Sequence, residues 1–451
     1  MISKKYILIL CFITFAYSID ISPFVLISYN TDSELYRDSN SAVGLFLLGS
    51  DFKYQNENIF VESQIAYYLY DAYYQRPDDF NSMEGVGKIE NSPGLSDNQF
   101  NYFESMVFLN YKIPKINLYT NLSSPQWGLG VSKIIISGKA PPFFNIGYTW
   151  EITPKIKYEH MYGKLISMIE DESYNDDVYT YDQRYAQYKR NMAAHRLTYN
   201  MSDKINLYLY EIVVYGGNRD IEPYYMLPLV PFLPIQTQLG DLDNDIISFE
   251  AEYVFNSNMR TYFGLSIDEW SPSYTFDKEH KNWFIYQFGF LRKNIFFNND
   301  IFQIEYTHSD PRVYRHRFDI NDYYSYDYPL GFWAGPHAEH FFAEYTNEMS
   351  LFDINFVYSF SKRGHLTEEM REQQYNYSDN FYINRYSDGF ESKNSFAVIF
   401  SNISFKKMNI DIGYRYVLWN NPLFVINEVE ENYLENEVVK NDLHFNIKYK
   451  F

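Results

Sequence analysis

Apolar and polar residues alternate without interruption through residues 442–451. The apolar residues fall on one face of this segment, and they are Leu443, Phe445, Ile447, Tyr449 and Phe451. Because successive side chains of a β-strand point to opposite sides, the pattern predicts a strand with one apolar and one polar face. Such strands are typical of transmembrane outer-membrane β-barrels, which turn apolar residues to lipid and polar residues to the lumen.

The same alternation recurs along the chain, where even-numbered residues are apolar through 352–360 and 408–418. Short turns such as 406–407 alternate with long polar connections near 72–99, 164–191, 216–245, 310–337, 362–392 and 420–440. This asymmetry predicts an all-β fold, an antiparallel outer-membrane barrel of about 18 strands. One region stays ambiguous, because 115–123, 128–138 and 144–151 are three candidate strands where an even total requires that one be dropped.

Residues 1–18 have the features of an export signal. Lys4 and Lys5 precede a short apolar core at 6–15, and Ala16-Tyr17-Ser18 is a small-x-small cleavage site. We therefore expect a signal peptide at 1–18 and a single barrel domain at 19–451, in the outer membrane of a diderm bacterium. The one cysteine lies inside the signal, so we expect no disulfide in the mature chain.

Composition and charge limit the classes of molecule that the chain is expected to bind. The chain has 47 Tyr and 38 Phe, which suits the aromatic girdles that a barrel places at both membrane interfaces. The formal net charge of -20 argues against nucleic acid as a partner. Outer-membrane lipid is the expected partner of the apolar faces, and the sequence leaves the oligomeric state open.

Several segments combine Gly, Pro and charge inside otherwise regular hairpins. In chain order they are Ser137–Phe144, a strand with Arg196, a strand with Glu211 that runs into Tyr215-Gly216, Tyr225–Pro228, Asp243-Asn244, Tyr314–His316 and Leu330–Glu339. Over about 130–345 these segments resemble the capsule assembly Wzi family, outer-membrane barrels that bind capsular polysaccharide at the cell surface. One departure is that family members carry helical material near the mature N-terminus, whereas 20–70 here has the pattern of strands.

The resemblance implies a polysaccharide-binding, lectin-like protein rather than an enzyme, with loops 216–245 and 310–337 as the binding surface. Within 323–333, Tyr326 and Trp333 belong to an aromatic cluster that is either a sugar platform or a loop-packing cluster, since flat rings serve both purposes. The predicted ligand-binding residues are Tyr215, Arg219, Tyr224, Tyr225, Tyr314, His316, Tyr326, Trp333, His337 and Glu339. Acidic loops nearby predict a neutral or cation-bridged capsular or extracellular polysaccharide.

Arg196 and Glu211 lie on two strands joined by the turn at 202–203. Their similar offsets from that turn predict that they face each other as an ion pair inside the lumen. Such a pair would fix the register of the two strands, because charges in a barrel interior are usually paired.

No pattern of metal binding or catalysis stands out. His308, His316, His337 and His340, with Glu305 and Glu339, match no metal-binding spacing, and the acidic segments have no Ca²⁺-loop spacing. The chain has neither a Gly-x-Ser-x-Gly elbow nor a His-Glu-x-x-His motif. We therefore expect no metal, no cofactor and no enzymatic activity.

Two functions from different classes stay open. The first is a polysaccharide-binding barrel, and the second is a passive porin or sugar-uptake channel. They differ in whether long loops close the lumen. Four prolines, Pro223, Pro228, Pro231 and Pro234, make the 216–245 connection a stiff segment that could fold inward as a plug.

Overall fold

The first strand closes the barrel. β1 (Asp20–Asn30) pairs antiparallel with β2 (Val43–Gln55) on one side and with β20 (Glu437–Lys450) on the other. The computed structural model describes residues 19–34, 42–71, 75–77, 79–87, 99–171, 186–365, 381–387, 389–422 and 437–451. In those ranges one closed antiparallel sheet of 18 strands forms, which confirms the predicted fold. The predicted signal at 1–18 lies outside the described residues.

The other wall strands follow around the barrel in chain order. They are β3 (Ile59–Asp71), β4 (Gln99–Ile113), β5 (Ile116–Ser123), β6 (Phe143–Thr153), β7 (Ile156–Glu170), β8 (Gln187–Asn200), β9 (Ile205–Gly217), β10 (Asn244–Asn256), β11 (Met259–Trp270), β12 (Asn282–Lys293), β13 (Asp300–Ser309), β16 (Ala338–Glu348), β17 (Asp353–Arg363), β18 (Glu391–Phe405) and β19 (Met408–Asn420). The short strands β14 (Tyr324–Ser325) and β15 (Tyr328–Pro329) pair with each other inside a loop. Helix α1 (Phe232–Gln238) lies between β9 and β10.

Of the three candidate strands between 115 and 151, the first and the last are wall strands and the middle one is not. Residues 128–138 are not a wall strand, although one isolated bridge joins Trp127 to Ile136. Both residues are buried, as are Ile134 and Ile135, so this apolar run packs inside the barrel instead of facing lipid. The apolar content of this buried loop is similar to that of a wall strand.

An apolar belt surrounds the barrel. The outward residues of β20 predicted from the alternation, Leu443, Phe445, Ile447 and Tyr449, keep 36–47% of their surface exposed. Polar residues on the other face of the wall, such as Arg415, bind partners in the lumen. This arrangement is that of an outer-membrane protein, in which short turns face the periplasm and long loops face outward. The chain is an outer-membrane barrel of a Gram-negative bacterium.

No helix in the described part of the chain is long and apolar enough to cross a bilayer.

One long connection folds into the lumen and is held there by wall carboxylates. Glu305 accepts hydrogen bonds from the backbone N–H groups of Val131 and Ser132, each at 2.8 Å, and Glu250 accepts one from Leu129 at 2.8 Å. We call residues 124–142 the inner loop. A loop inside a barrel must pair its backbone donors without water, and these buried carboxylates provide the acceptors.

Two further segments lock onto the inner loop. In the segment 310–337, which we call the cap loop, Tyr323 donates its hydroxyl hydrogen to the carbonyl of Ile135 at 2.9 Å. In the segment 79–87, the carbonyls of Asn81 and Met83 accept hydrogen bonds from the ammonium of Lys139, each at 2.8 Å. These three segments form what we call the plug. It shares one buried apolar cluster with inward residues of β6–β10, β12 and β16, so the loops and this part of the wall pack as a single core.

The Pro-rich connection takes the opposite course. Residues 218–243, which we call the strap, lie against the outer wall, where Phe232 and Tyr225 pack on Val213 and Ala193. These wall residues are outward, because their neighbours Ile212 and Ala194 belong to the lumen cluster. The inward plug that the prolines suggested is therefore built from other loops, and the strap covers the outside of β7–β10.

The predicted ion pair between Arg196 and Glu211 does not form. In the register of β8 and β9, His195 lies opposite Glu211, and Arg196 lies opposite Tyr210. A shift of one residue reverses the face of a strand side chain, so Arg196 points into the lumen and Glu211 points outward. Arg196 pairs with Glu159 at 2.5 Å, and Glu211 pairs with His195 at 2.8 Å.

Replacing Glu305 with Ala should loosen the plug. The change leaves the N–H groups of Val131 and Ser132 without their acceptor, at a cost of about 1–3 kcal/mol for each buried donor. In planar bilayers the wild-type barrel should show no steady open channel, and the variant should show openings. Glu252→Ala is the matched control, because the partners of Glu252 are the wall residues Arg260 and Asn206. A silent Glu305 variant, or steady conductance in the wild type, would contradict this view of the plug.

Candidate functional site

The extracellular end of the barrel carries a cleft between three loops. The loop 271–281, the first residues of the cap loop and the segment 381–385 enclose a cavity of about 480 Å³. Its aromatic lining residues are Phe276, Trp283, Phe284, Phe381 and Tyr382. Phe276 is 99% exposed, and Tyr382 is 49% exposed with the Lys278 ammonium 6.0 Å from its ring centre, so both rings at the mouth of the cleft are accessible to solvent.

Local hydrogen bonds hold the loop 271–281 in a compact shape. The side-chain oxygen of Asn282 accepts from the N–H of Ser271 at 3.0 Å, and its amide donates to the carbonyl of Tyr274 at 2.8 Å. Trp270 donates its indole N–H to the hydroxyl of Thr275 at 2.9 Å. Because the turn is closed by its own side chains, the ring of Phe276 is left to project from its tip.

Cations lie against the rings of the cleft. The buried guanidinium of Arg312 lies 5.8 Å from the ring centres of both Trp283 and Phe381, and it donates to the carbonyl of Phe381. Lys281 lies 5.4 Å from the centre of the same Phe381 ring. Such cation–π contacts fix the rings in place, because the ring face attracts the positive charge. The cleft therefore has a rigid aromatic floor.

A polar cluster borders the cleft on the outer rim. Arg385 donates to the carbonyl of Ser309 at 2.8 Å and to the hydroxyl of Tyr386 at 2.8 Å, and it lies 3.5 Å from a carboxylate oxygen of Glu339. His337 stacks on the ring of Tyr386 with centres 4.9 Å apart. These contacts attach the segment 381–387 to the ends of β13 and β16, so the cleft keeps its shape.

A second cavity of about 480 Å³ adjoins the first and shares Phe381 with it. Its basic residues are Lys281, Arg315, His316 and Arg317, and its acidic residues are Asp241, Asp243, Asp245, Asp268 and Glu269. Burial, with the neighbouring charge of Arg317, lowers the pKa of His316 to about 4. The imidazole is therefore neutral at pH 7, and its Nδ1 accepts from the N–H of Phe318 at 3.2 Å.

The predicted ligand residues are distributed over four places. Tyr314 and Trp333 lie in the buried core of the plug, and the half-buried Tyr326 packs against that core. Tyr215, Arg219, Tyr224 and Tyr225 belong to the strap or to the wall beneath it, and of these Tyr224 is 55% exposed. His337 and Glu339 belong to the rim cluster, and His316 lines the second cavity.

Several residues that line the cleft were not among the ligand-binding residues predicted from the sequence. They are Phe276, Trp283, Arg312, Tyr382 and Arg385. The available signal was the pairing of exposed aromatic residues with basic ones in long connections, as in Phe276–Lys278 and Phe381–Arg385. Aromatic residues make up 20% of the chain, so this signal does not distinguish the cleft from other loops.

In the described ranges, no group of three or more His, Cys, Asp or Glu residues is arranged to hold a metal ion.

A scan of protein-family models finds no match, and no curated protein matches the sequence. Solved structures do match. The chain is similar to Wzi, an outer-membrane protein involved in group 1 capsule assembly in Escherichia coli and described as a carbohydrate-binding β-barrel. The TM-score is 0.58 at 13% identity, over 98% of this chain and 87% of Wzi.

Two porin-type barrels also match with lower scores. OccAB2 of Acinetobacter baumannii gives a TM-score of 0.48 at 12% identity, over 96% of this chain and 98% of that one. OprD of Pseudomonas aeruginosa gives 0.45 at 11% identity, over 96% and 95%. At 13% identity the likeness to Wzi concerns the fold alone.

Acidification should loosen the turn that follows His316. An unfolded histidine has a pKa near 6.5, so between pH 6.5 and about 4 the unfolded turn binds a proton that the folded turn does not. The free energy of unfolding of this turn should therefore fall as pH falls through that window. Hydrogen exchange at Phe318, corrected for its intrinsic pH dependence, measures the effect. His316→Gln should remove the pH step, and an unchanged step in that variant would contradict the assignment.

Proposed function

We propose that the chain is a polysaccharide-binding outer-membrane barrel that attaches or organises capsular or extracellular polysaccharide at the cell surface. The single observation that carries this proposal is the extracellular cleft of about 480 Å³ with two exposed aromatic rings at its mouth. Flat rings bind the apolar faces of sugar rings at little cost in side-chain entropy. Wzi, whose fold is similar, is described as a carbohydrate-binding barrel.

The lining of the cleft fits a hydroxyl-rich ligand. Asp277 and Asp310 provide acceptors beside the rings, and Lys278 and Arg385 provide donors. Mixed charges of this kind bind hydroxyl groups without requiring a charged ligand. The proposal is therefore a binding function without catalysis, for a neutral or cation-bridged glycan.

The plug supports binding at the surface over transport through the lumen. Three loop segments are hydrogen-bonded to one another inside the barrel, and the inner loop is also bonded to a wall carboxylate. A passive channel of this diameter needs an aqueous lumen, and the plug fills part of the lumen with a packed apolar core. Steady conductance would therefore favour the porin alternative.

Truncating the two exposed rings tests the proposal. Phe276→Ala with Tyr382→Ala should weaken retention of the cell-surface polysaccharide by about tenfold or more, because stacking area is lost at the mouth of the cleft. Phe276 is 99% exposed and Tyr382 is 49% exposed, so truncating them removes little buried contact and the barrel should remain folded. Binding is measured with purified protein and polysaccharide isolated from the same cells.

The matched control lies at the opposite end of the barrel. Phe296 and Phe297 are exposed aromatic residues of the short turn after β12, at 74% and 61%. Phe296→Ala with Phe297→Ala should leave retention unchanged. Equal retention by the cleft variant and the wild type would show that the cleft is not the site.

A further inference from the structure

The outer wall beneath the strap is polar where a lipid-facing wall should be apolar. Outward positions of β7–β10 carry Tyr158, His160, His195, Glu211 and Asp245. His195 pairs with Glu211 at 2.8 Å, and both side chains are largely buried. A carboxylate and an imidazole facing hydrocarbon are costly, so these residues require a cover at the level of the belt. Phe232 of the strap supplies it by stacking on His195 with ring centres 4.3 Å apart.

The wall in turn satisfies the backbone of the strap. The N–H of Leu233 donates to Glu211 at 2.9 Å, and the N–H of Leu229 donates to the hydroxyl of Tyr158 at 3.1 Å. The prolines at 223, 228, 231 and 234 carry no N–H at all. Irregular backbone at membrane depth needs partners for its donors. In 228–234 three of the seven residues are prolines without a donor, and Leu229 and Leu233 bond to the wall.

The other side of the strap is apolar and uncovered. Its large residues that keep 37–55% of their surface exposed are Ile221, Tyr224, Met226, Leu227, Leu229, Leu233 and Leu242. They continue the belt, because the strap lies beside Leu209, which pairs across strands with Phe249. These two outward wall residues are 49% and 38% exposed. The strap therefore covers part of the wall and presents the lipid-facing surface in its place.

Between the strap and the wall runs a groove of about 250 Å³. Leu229 and Pro231 form its strap side, and Leu197, Leu209 and Ile247 form its wall side. The polar groups along the groove, those of Tyr158, His195 and Glu211, already bind one another or the strap. We propose that this groove holds one acyl chain of an outer-membrane lipid.

The groove is continuous with the apolar belt, which favours an acyl chain as its occupant. Leu209 is part of both the groove and the belt, so a chain in the surrounding lipid reaches the groove without crossing polar surface. A polar or charged ligand would find its hydrogen-bonding partners there engaged. The bound chain would fill the space under the strap and hold the strap against the wall.

Filling the groove tests the proposal. The full barrel is placed in nanodiscs of phosphatidylethanolamine and returned to detergent, and the lipid that stays bound is counted by native mass spectrometry. Leu209→Trp should lower the fraction of barrels that retain a lipid by roughly tenfold, the change expected when about two methylenes lose their contacts. Ile247→Trp, on the neighbouring strand, should do the same and serves if the first variant does not fold.

The control is a belt position with no groove. Leu443 is 47% exposed on β20, close to the 49% of Leu209, so Leu443→Trp should retain lipid as the wild type does. Equal retention by all variants, or a wild type that retains none, would overturn the proposal. A dimer that forms in the wild type and is lost in Leu209→Trp would also overturn it, since a second copy would then be the occupant.

Discussion

The structure depends on wall carboxylates that accept hydrogen bonds from the backbone of irregular segments. A closed sheet satisfies its own N–H groups, but a loop pressed against that sheet does not. Inside the barrel, Glu250 and Glu305 bind the N–H groups of the inner loop. Outside the barrel, Glu211 binds the N–H of Leu233 in the strap. The same chemistry thus attaches one loop to the lumen and another to the lipid-facing wall.

This constraint connects the fold to the function. With the inner loop fixed, the cap loop has a surface to pack on, and Tyr314 and Tyr323 donate hydroxyl hydrogens to carbonyls of that loop. The start of the cap loop then stands at the rim, where Arg312 lies against Trp283 and Phe381. The aromatic cleft is therefore built on the plug. A barrel with a mobile inner loop would lose the surface on which the plug and the cleft are built.

Much of the fold follows from the sequence, because a period of two and the contrast between short and long connections are local properties. Where the alternation is clean, as in 443–449, the outward face was predicted correctly. Three candidate strands stayed open at 115–151, because a buried apolar loop such as 128–138 and a wall strand have the same composition. The pairing of Arg196 with Glu211 failed because an error of one residue in register reverses the face.

The site was less predictable than the fold. Polarity at outward positions of β7–β10 contradicts the barrel pattern, and it is the signal that a covering segment exists. The cleft joins residues from 271–281, the cap loop and 381–385, which are distant in sequence and are brought together only by the closed barrel. Aromatic residues in these loops have no periodic pattern, so the sequence gives no means of separating them from the other aromatic residues of the chain.

The most direct measurement is a structure of the barrel with an oligosaccharide from its own cell surface. Density for sugar rings should lie against Phe276 and Tyr382, above an inner loop that remains bound to Glu305. Sugar density passing through the lumen, with the inner loop displaced, would contradict this expectation and identify a channel.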